Sequence, residues 1–206
     1  MNFEDIEFDS EEEELFWYYL EELKDKGFVD DFEYNTKSFT LSEPYKYTWL
    51  QELKTKEIKK ESTLLQGHIY TPDFYIVWNE KAKGIFYELL NFNKPLNKIP
   101  FIAQTGYTTG SHLLFNQEIF EIETSIIEIK PAFDFKNMTR LSIINQKWMM
   151  EKHNIYIQKI IPVGKNTCLF AKTFVPEKAK YTKKKKQLKK FKYPVRSLEE
   201  FLNGSI

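Results

Sequence analysis

Only one of the 206 residues is a cysteine. Cys168 has no internal partner, which excludes a disulfide framework and a cysteine-rich zinc site and points to a reducing, cytoplasmic compartment. Glycine is scarce at seven residues, so the chain is neither a flexible linker nor a loop-rich scaffold. No apolar run approaches membrane-spanning length, and the N-terminus is acidic where a signal peptide would be basic and then apolar. No membrane partner is expected. A glycine-rich phosphate loop is missing as well, which disfavours a nucleotide hydrolase.

Net charge is also absent, since 30 basic side chains balance 30 acidic ones. The balance hides a segregation. The first thirty or so residues are strongly acidic, whereas Lys178–Lys192 holds nine lysines and no acid. Such a run points to a polyanionic partner, with a solvated tail as the plain alternative. Its lysines would hold phosphates without reading sequence.

What the chain has in quantity is aromatic side chains, 17% of all residues. Together with its length this supports one domain with a good core. Ser10 and the run Glu11–Glu14 read as a capped helix start, with Glu13 at the reciprocal capping-box position. Phe16, Leu20 and Leu23 continue at helical spacing and Gly27 is a stop, which predicts a helix over about 11–26. Phe28–Tyr34 and Lys37–Leu41 read as strands. Tyr45–Lys60 reads either as a helix or as an extended excursion. His68–Trp78 reads as a strand bent at Thr71-Pro72-Asp73, because proline leaves a ladder at an edge or bulge. Asn79–Gly84 is a turn, and Gly84–Leu90 is expected to pair back as a hairpin. Residues 91–112 look irregular, and Leu113–Phe120 and Thr124–Lys130 follow as strands. Asn137–Lys152 is a helix apolar on two sides, through Met138, Leu141, Ile144 and Trp148 on one and Ile143 and Met150 on the other. Ile155–Pro162 is a buried strand and Thr167–Phe174 another. Arg196–Leu202 is a short terminal helix. Strand, helix, strand near residue 140 suggests a crossover in a mixed sheet.

The stretch Ser125–Pro131 organises the rest. Side chains alternate along a strand, so Glu128 and Lys130 project from one face while Ile127 and Ile129 face a core. Pro131 ends the strand. An acid and an amine side by side form a catalytic edge or an ordinary charge pair. Thr71-Pro72-Asp73-Phe74 is likewise either a turn or the second half of that edge.

Taken in order, Glu13 on a helix start, Pro72-Asp73 on a bent strand and Glu128-Ile129-Lys130 on a following strand resemble the PD-(D/E)XK nuclease superfamily, over roughly residues 10–162. The Ser-x-x-Glu start and the Thr-Pro-Asp-Phe strand look most like its phage-encoded, transposase-associated and junction-resolving branches. The resemblance implies an α/β fold: a restriction-endonuclease-like core with a central mixed sheet flanked by helices. The nuclease-like domain would span residues 1–175 with an insertion at about 79–121, and residues 176–206 would be a lysine-rich extension with a short terminal helix. The insertion is needed because 54 residues separate Asp73 from Glu128, more than the family's usual short hairpin.

In function it implies a metal-dependent endodeoxyribonuclease for phage-type DNA processing or recombination. Asp73, Glu128 and the backbone carbonyl of Ile129 would hold Mg²⁺, or Mn²⁺ in its place. Lys130 would stand beside the attacking water, and Glu13 (or its neighbour Glu12) would add a supporting carboxylate. Gln146 matches a position where some branches place Gln or Lys, with Lys147 the weaker competitor. Lys183, Lys184, Lys185, Lys186, Lys189 and Lys190 would hold the DNA backbone, and a homodimer would suit the cutting of two strands. The rival reading is a DNA-binding or assembly protein that keeps the fold without the reaction, and a nuclease for RNA is a third. His68 is expected to form a structural hydrogen bond. His112 and His153 have no metal-ligand spacing, and Cys168 is expected in the core.

Overall fold

The computed structural model describes residues 6–88, 102–103, 124–132, 139–165, 168–181 and 188–204. Helix α1 runs from Glu11 to Asp25. The Ser10 hydroxyl caps it by accepting the Glu13 N–H at 3.2 Å, and four glutamates fill the first turn, where the helix dipole favours them. Leu15, Phe16, Tyr19, Leu20 and Leu23 face inward at helical spacing. Gly27, at φ +76°, ends the helix. Its N–H reaches the Lys24 carbonyl and the Phe28 N–H reaches that of Leu23, each at 2.9 Å, which satisfies two orphan carbonyls together.

Four strands form the central sheet, in the order β1 (Val29–Tyr34), β6 (Phe74–Trp78), β9 (Thr124–Ile129), β10 (Ile157–Ile160). The first two pairings are antiparallel, and β9 with β10 is parallel. Helix α2 (Thr139–His153) makes the crossover between the parallel strands. The fold is therefore mixed α/β with a mixed sheet, as the strand–helix–strand pattern predicts. Ile76, Ile127 and Ile129 of the sheet, with Phe16 and Tyr19 of α1, lie in the larger core. Trp78 donates its indole N–H to the buried Ser125 hydroxyl at 2.8 Å, which ties β6 to β9 inside that core.

Between β1 and β6 the chain makes a long excursion. β2 (Phe39–Ser42) pairs with β5 (His68–Tyr70), and β3 (Tyr45–Glu52) with β4 (Glu57–Leu65), both antiparallel. The open choice at Tyr45–Lys60 thus resolves to an extended hairpin. Pro44 and Gly67 mark the joint between its two parts. A Cβ at Gly67 would come within 2.9 Å of the Ser42 carbonyl oxygen, so only glycine fits there.

Three expectations change. The described part of Gly84–Leu90, residues 84–88, does not pair back on β6, because β1 and β9 already occupy both edges of that strand. Instead β7 (Tyr87–Glu88) pairs in parallel with β8 (Ile102–Ala103), and the Ala82, Phe86 and Tyr87 side chains enter the larger core. The described part of Thr167–Phe174, from Cys168 on, is not a strand. Cys168 precedes a short helix α3 (Leu169–Lys172) whose first amides return to the carbonyls of Ile161 and Pro162. A four-residue apolar run fits either period, and here the turn after β10 decides. Helix α2 is not packed on two sides among the described residues. Asn145 and Met149, one turn apart, are its buried positions, while Leu141, Ile143, Ile144 and Trp148 are exposed. The strand expected over Leu113–Phe120 lies outside the described residues.

Beyond α3 the chain stays with the body of the protein. Val175, Ala179, Tyr193 and Leu198 are buried in the larger core, and α4 (Leu198–Asn203) carries a full capping box between Ser197 and Glu200. Among the described residues, no helix is long and apolar enough to cross a membrane.

Candidate active site

The end of the sheet at which β6 begins and β9 stops gathers the charged residues. Tyr34 pairs with Phe74, and Phe74 with Ile127, so Asp73 sits one step past the ladder, level with Glu128. Buried Pro72 precedes it and removes a backbone donor where the ladder ends. The Asp73 carboxylate takes over by accepting the Ile129 N–H at 2.5 Å. The Asn35 N–H closes the other side on the Asp73 carbonyl at 2.9 Å.

Glu128 and Lys130 do share a face. Their charged groups meet at 2.7 Å, with only 13% and 20% of the two side chains exposed. Ile127 and Ile129 point to the core between them. The second Glu128 oxygen accepts the Tyr70 hydroxyl at 2.6 Å. Burial and the Glu128 carboxylate push the Tyr70 phenol up, so it stays a donor. In β10, Lys159 lies across from Glu128.

Asp73 carries the clearest electrostatic signature. Burial and then the Glu128 carboxylate push its carboxyl up to about 8; the Ile129 N–H opposes this, Glu13 adds to it, and Lys130 opposes it. Two carboxylates held together away from water make a place where a proton or a cation is favoured. All the donors are hard oxygens, which suits Mg²⁺ or Mn²⁺. Among the described residues no group of three or more His, Cys, Asp or Glu side chains is arranged to hold a metal ion. Asp73, Glu128 and the Ile129 carbonyl are the oxygens that could hold a cation there, and so small a donor set would leave it several waters.

Of Glu12 and Glu13, Glu13 is the buried carboxylate, with 7% exposure; its neighbour Glu14, equally buried, accepts the Tyr18 hydroxyl at 2.7 Å instead. The capping role of Glu13 differs from the reciprocal box. One oxygen accepts the Ser10 hydroxyl at 2.7 Å. The other accepts the Tyr34 hydroxyl at 2.6 Å and the N–H of Asp9, one residue before the cap, at 3.2 Å. Glu13 thus stands beside Asp73 in the electrostatic sense while its oxygens serve Tyr34 and the helix start.

Gln146 donates its amide to the Ile157 carbonyl at 2.5 Å, two positions before Lys159, and so ties α2 to β10. Lys147 is exposed. His68 meets the Asn145 side chain at 3.0 Å, the structural bond expected of it. Cys168 is buried and unpaired, as expected.

The lysine run behaves differently from a free clamp. Lys189 pairs with Glu11 at 2.5 Å and Lys178 with Glu21 at 2.9 Å, so two lysines of the run are docked on the acidic face of α1, while Lys180 pairs with Glu177. Lys190 is exposed. Lys183, Lys184, Lys185 and Lys186 lie outside the described residues.

Tyr70 and Tyr34, which hold the two glutamates, escape motif reasoning. Tyr70 leaves a faint trace, since it ends the strand just before Thr-Pro-Asp. Tyr34 leaves none, because its link to Glu13 exists only once β1 lies beside α1. Comparison with family models, with curated proteins and with solved structures found no match for this chain.

Proposed function

We propose that this protein is a metal-dependent endodeoxyribonuclease built on a restriction-endonuclease-like core. One observation carries the reading: Asp73, Glu128 and Lys130, 57 residues apart from first to last, meet at one end of one sheet, with the Asp73 carboxyl pushed up to about 8 against Glu128. Carboxyls pushed up by burial and a neighbouring carboxylate cluster at functional sites.

Hydrolysis of a phosphodiester needs a water oxygen to bond to phosphorus while the bond to the leaving sugar oxygen breaks; one water proton ends on that oxygen. Asp73, Glu128 and the Ile129 carbonyl would hold a divalent cation, which supplies charge neutralisation and a more acidic water. The Lys130 ammonium would face the phosphoryl oxygens as negative charge grows on them. Tyr70 fixes Glu128, and Tyr34 fixes Glu13, so neither carboxylate needs to be ordered when substrate arrives. DNA is the partner that the family resemblance favours, in phage-type processing or recombination, and a homodimer would place two such sites on two strands.

A binding protein that lacks the reaction is the second reading. It is favoured by the engagement of both Glu128 oxygens, one by Lys130 and one by Tyr70. Incubation of supercoiled plasmid, single-stranded DNA, a four-way junction and RNA with Mg²⁺, Mn²⁺ or EDTA separates the two. Metal-dependent cutting that falls about a thousandfold in both Asp73→Ala and Lys130→Ala supports the nuclease. Binding without cutting in the wild type sinks it, and preferred cutting of RNA moves the substrate class.

A further inference from the structure

The hairpin of β3 and β4 belongs to neither core, and none of residues 45–65 is buried. Such an arm costs chain entropy and gains no core, so its surface calls for a use. Its two faces differ. Alternation places Tyr45, Tyr47 and Trp49 on one face, where Ser62 lies across from Tyr47 and Lys60 across from Trp49. All three acids of the arm, Glu52, Glu57 and Glu61, lie on the other face, where Glu61 pairs with Lys46 at 2.9 Å. The ring-bearing face has no carboxylate.

The rings are exposed by 62%, 45% and 39%, yet Trp49 is held in place. Its indole N–H donates to the Ser62 hydroxyl at 2.9 Å, and the Lys60 ammonium stands 5.9 Å from its centre. Lys54 and Lys56 occupy the exposed tip. Three flat rings in a row, free of negative charge and flanked by lysines, match unpaired bases and their phosphates. Paired bases offer no face for stacking. The arm also springs from the candidate site. Its root strand β5 ends at Tyr70, which holds Glu128, and Asp73 follows three residues later. Eight residues of strand reach about 26 Å from that root.

We infer that the ring-bearing face of this arm binds single-stranded nucleic acid by stacking on its bases. The clause that these unpaired bases lie beside the bond being cut rests on the nuclease reading; the stacking itself does not.

The test uses the full chain, a labelled 20-nucleotide single strand and its duplex, and fluorescence anisotropy in EDTA, with plasmid and single-strand cleavage in Mg²⁺ run alongside. The double variant Tyr47→Ala/Trp49→Ala is expected to bind the single strand at least about tenfold more weakly, with duplex binding changed less than about twofold. Trp49→Phe, which keeps a ring, is expected to stay within about threefold of wild type, and Trp49→Leu, which is apolar without a ring, is not. The two single variants carry the test if the double variant does not fold. Single-strand binding unaltered by loss of the rings overturns the inference. So does a wild type that fails to bind the strand, and so does a change from dimer to monomer in sedimentation with binding unaltered, which would make the face a contact between two copies. Ring-dependent binding by a wild type that cuts nothing overturns the nuclease reading alone. Wild-type cutting with ring-independent binding overturns the arm alone.

Discussion

The Asp73 carboxylate accepts the backbone N–H of Ile129 at 2.5 Å, so a side chain from one motif completes the ladder of the strand that carries the other. That bond lowers the carboxyl's proton affinity, but burial and Glu128 raise it more, to about 8. The consequence for stability has a definite sign. The unfolded carboxyl titrates near ~3.9, so between about pH 4 and pH 8 the folded protein holds a proton that the unfolded chain has released. Stability therefore falls as pH rises through that window and levels off above it. Without divalent metal, Tm should decline from pH 5 to pH 8 in the wild type and much less in Asp73→Asn, which should be the more stable protein at pH 8. Mg²⁺ at pH 8 should raise the wild-type Tm and leave that of Asp73→Asn unmoved. A wild-type Tm that is flat across the window would remove the electrostatic basis of the site.

Tyr70 holds Glu128 through a hydrogen bond to a charged group, and such bonds contribute about 1.5–3 kcal/mol. Tyr70→Phe keeps the ring and removes only the hydroxyl. Chemical denaturation should find a loss in that range, and on the proposed nuclease reading metal-dependent cleavage should fall about 10- to 100-fold without disappearing, as when a group that orients a metal ligand is removed. An unchanged Mg²⁺ midpoint in the cleavage assay would show that Glu128 needs no such support.

The local parts of this structure were legible in the sequence because their causes are local. Ser10, the glutamate run and Gly27 define α1 from within a few residues, and the alternation in Ser125–Pro131 puts Glu128 and Lys130 on one face without reference to anything distant. Asp73 was legible through the proline before it. What escaped depends on contacts far along the chain. Nothing near residue 87 reveals that both edges of β6 are occupied, so a hairpin looked natural there. The apolar residues of α2 have helical spacing, but spacing alone cannot say which face a neighbour covers, and the covered face carries the polar Asn145 with Met149. The run looked free because the acids that Lys178 and Lys189 meet lie more than 150 residues earlier, on α1.

Gly27 offers a check on the frame that holds Glu13. At φ +76° an L-side chain is strained, although the nearest atom to an added Cβ, the Lys81 amine at 3.5 Å, would not clash. The cost of Gly27→Ala is therefore conformational, about 1 kcal/mol, or roughly 2–4 °C in Tm for a chain of this size. Cleavage measured well below Tm should be unaffected. A loss of activity without a loss of stability would mean that the α1 terminus moves with the site.

The pairing of Lys189 with Glu11 and of Lys178 with Glu21 sets the chain's own acids against the expected polyanion. These pairs lie at the surface, where each contributes about 0–1 kcal/mol, so their loss should change Tm little. Their effect on a phosphate-bearing partner should be larger. Each lysine released to a phosphate steepens the fall of log affinity with log salt by about 0.9 for duplex DNA. The variant Glu11→Gln/Glu21→Gln keeps the shape of α1 and removes the carboxylate that each of the two lysines pairs with. It should bind duplex DNA about tenfold more tightly at low salt, with a slope steeper by about two, and the advantage should vanish at high salt. Lys178→Gln/Lys189→Gln should leave wild-type affinity almost unchanged, because those two amines are already engaged. If instead the lysine variant weakens binding as strongly as the glutamate variant strengthens it, the docked lysines exchange freely between α1 and DNA. The acidic helix would then act as a competitor for the partner rather than as a resting place for the tail.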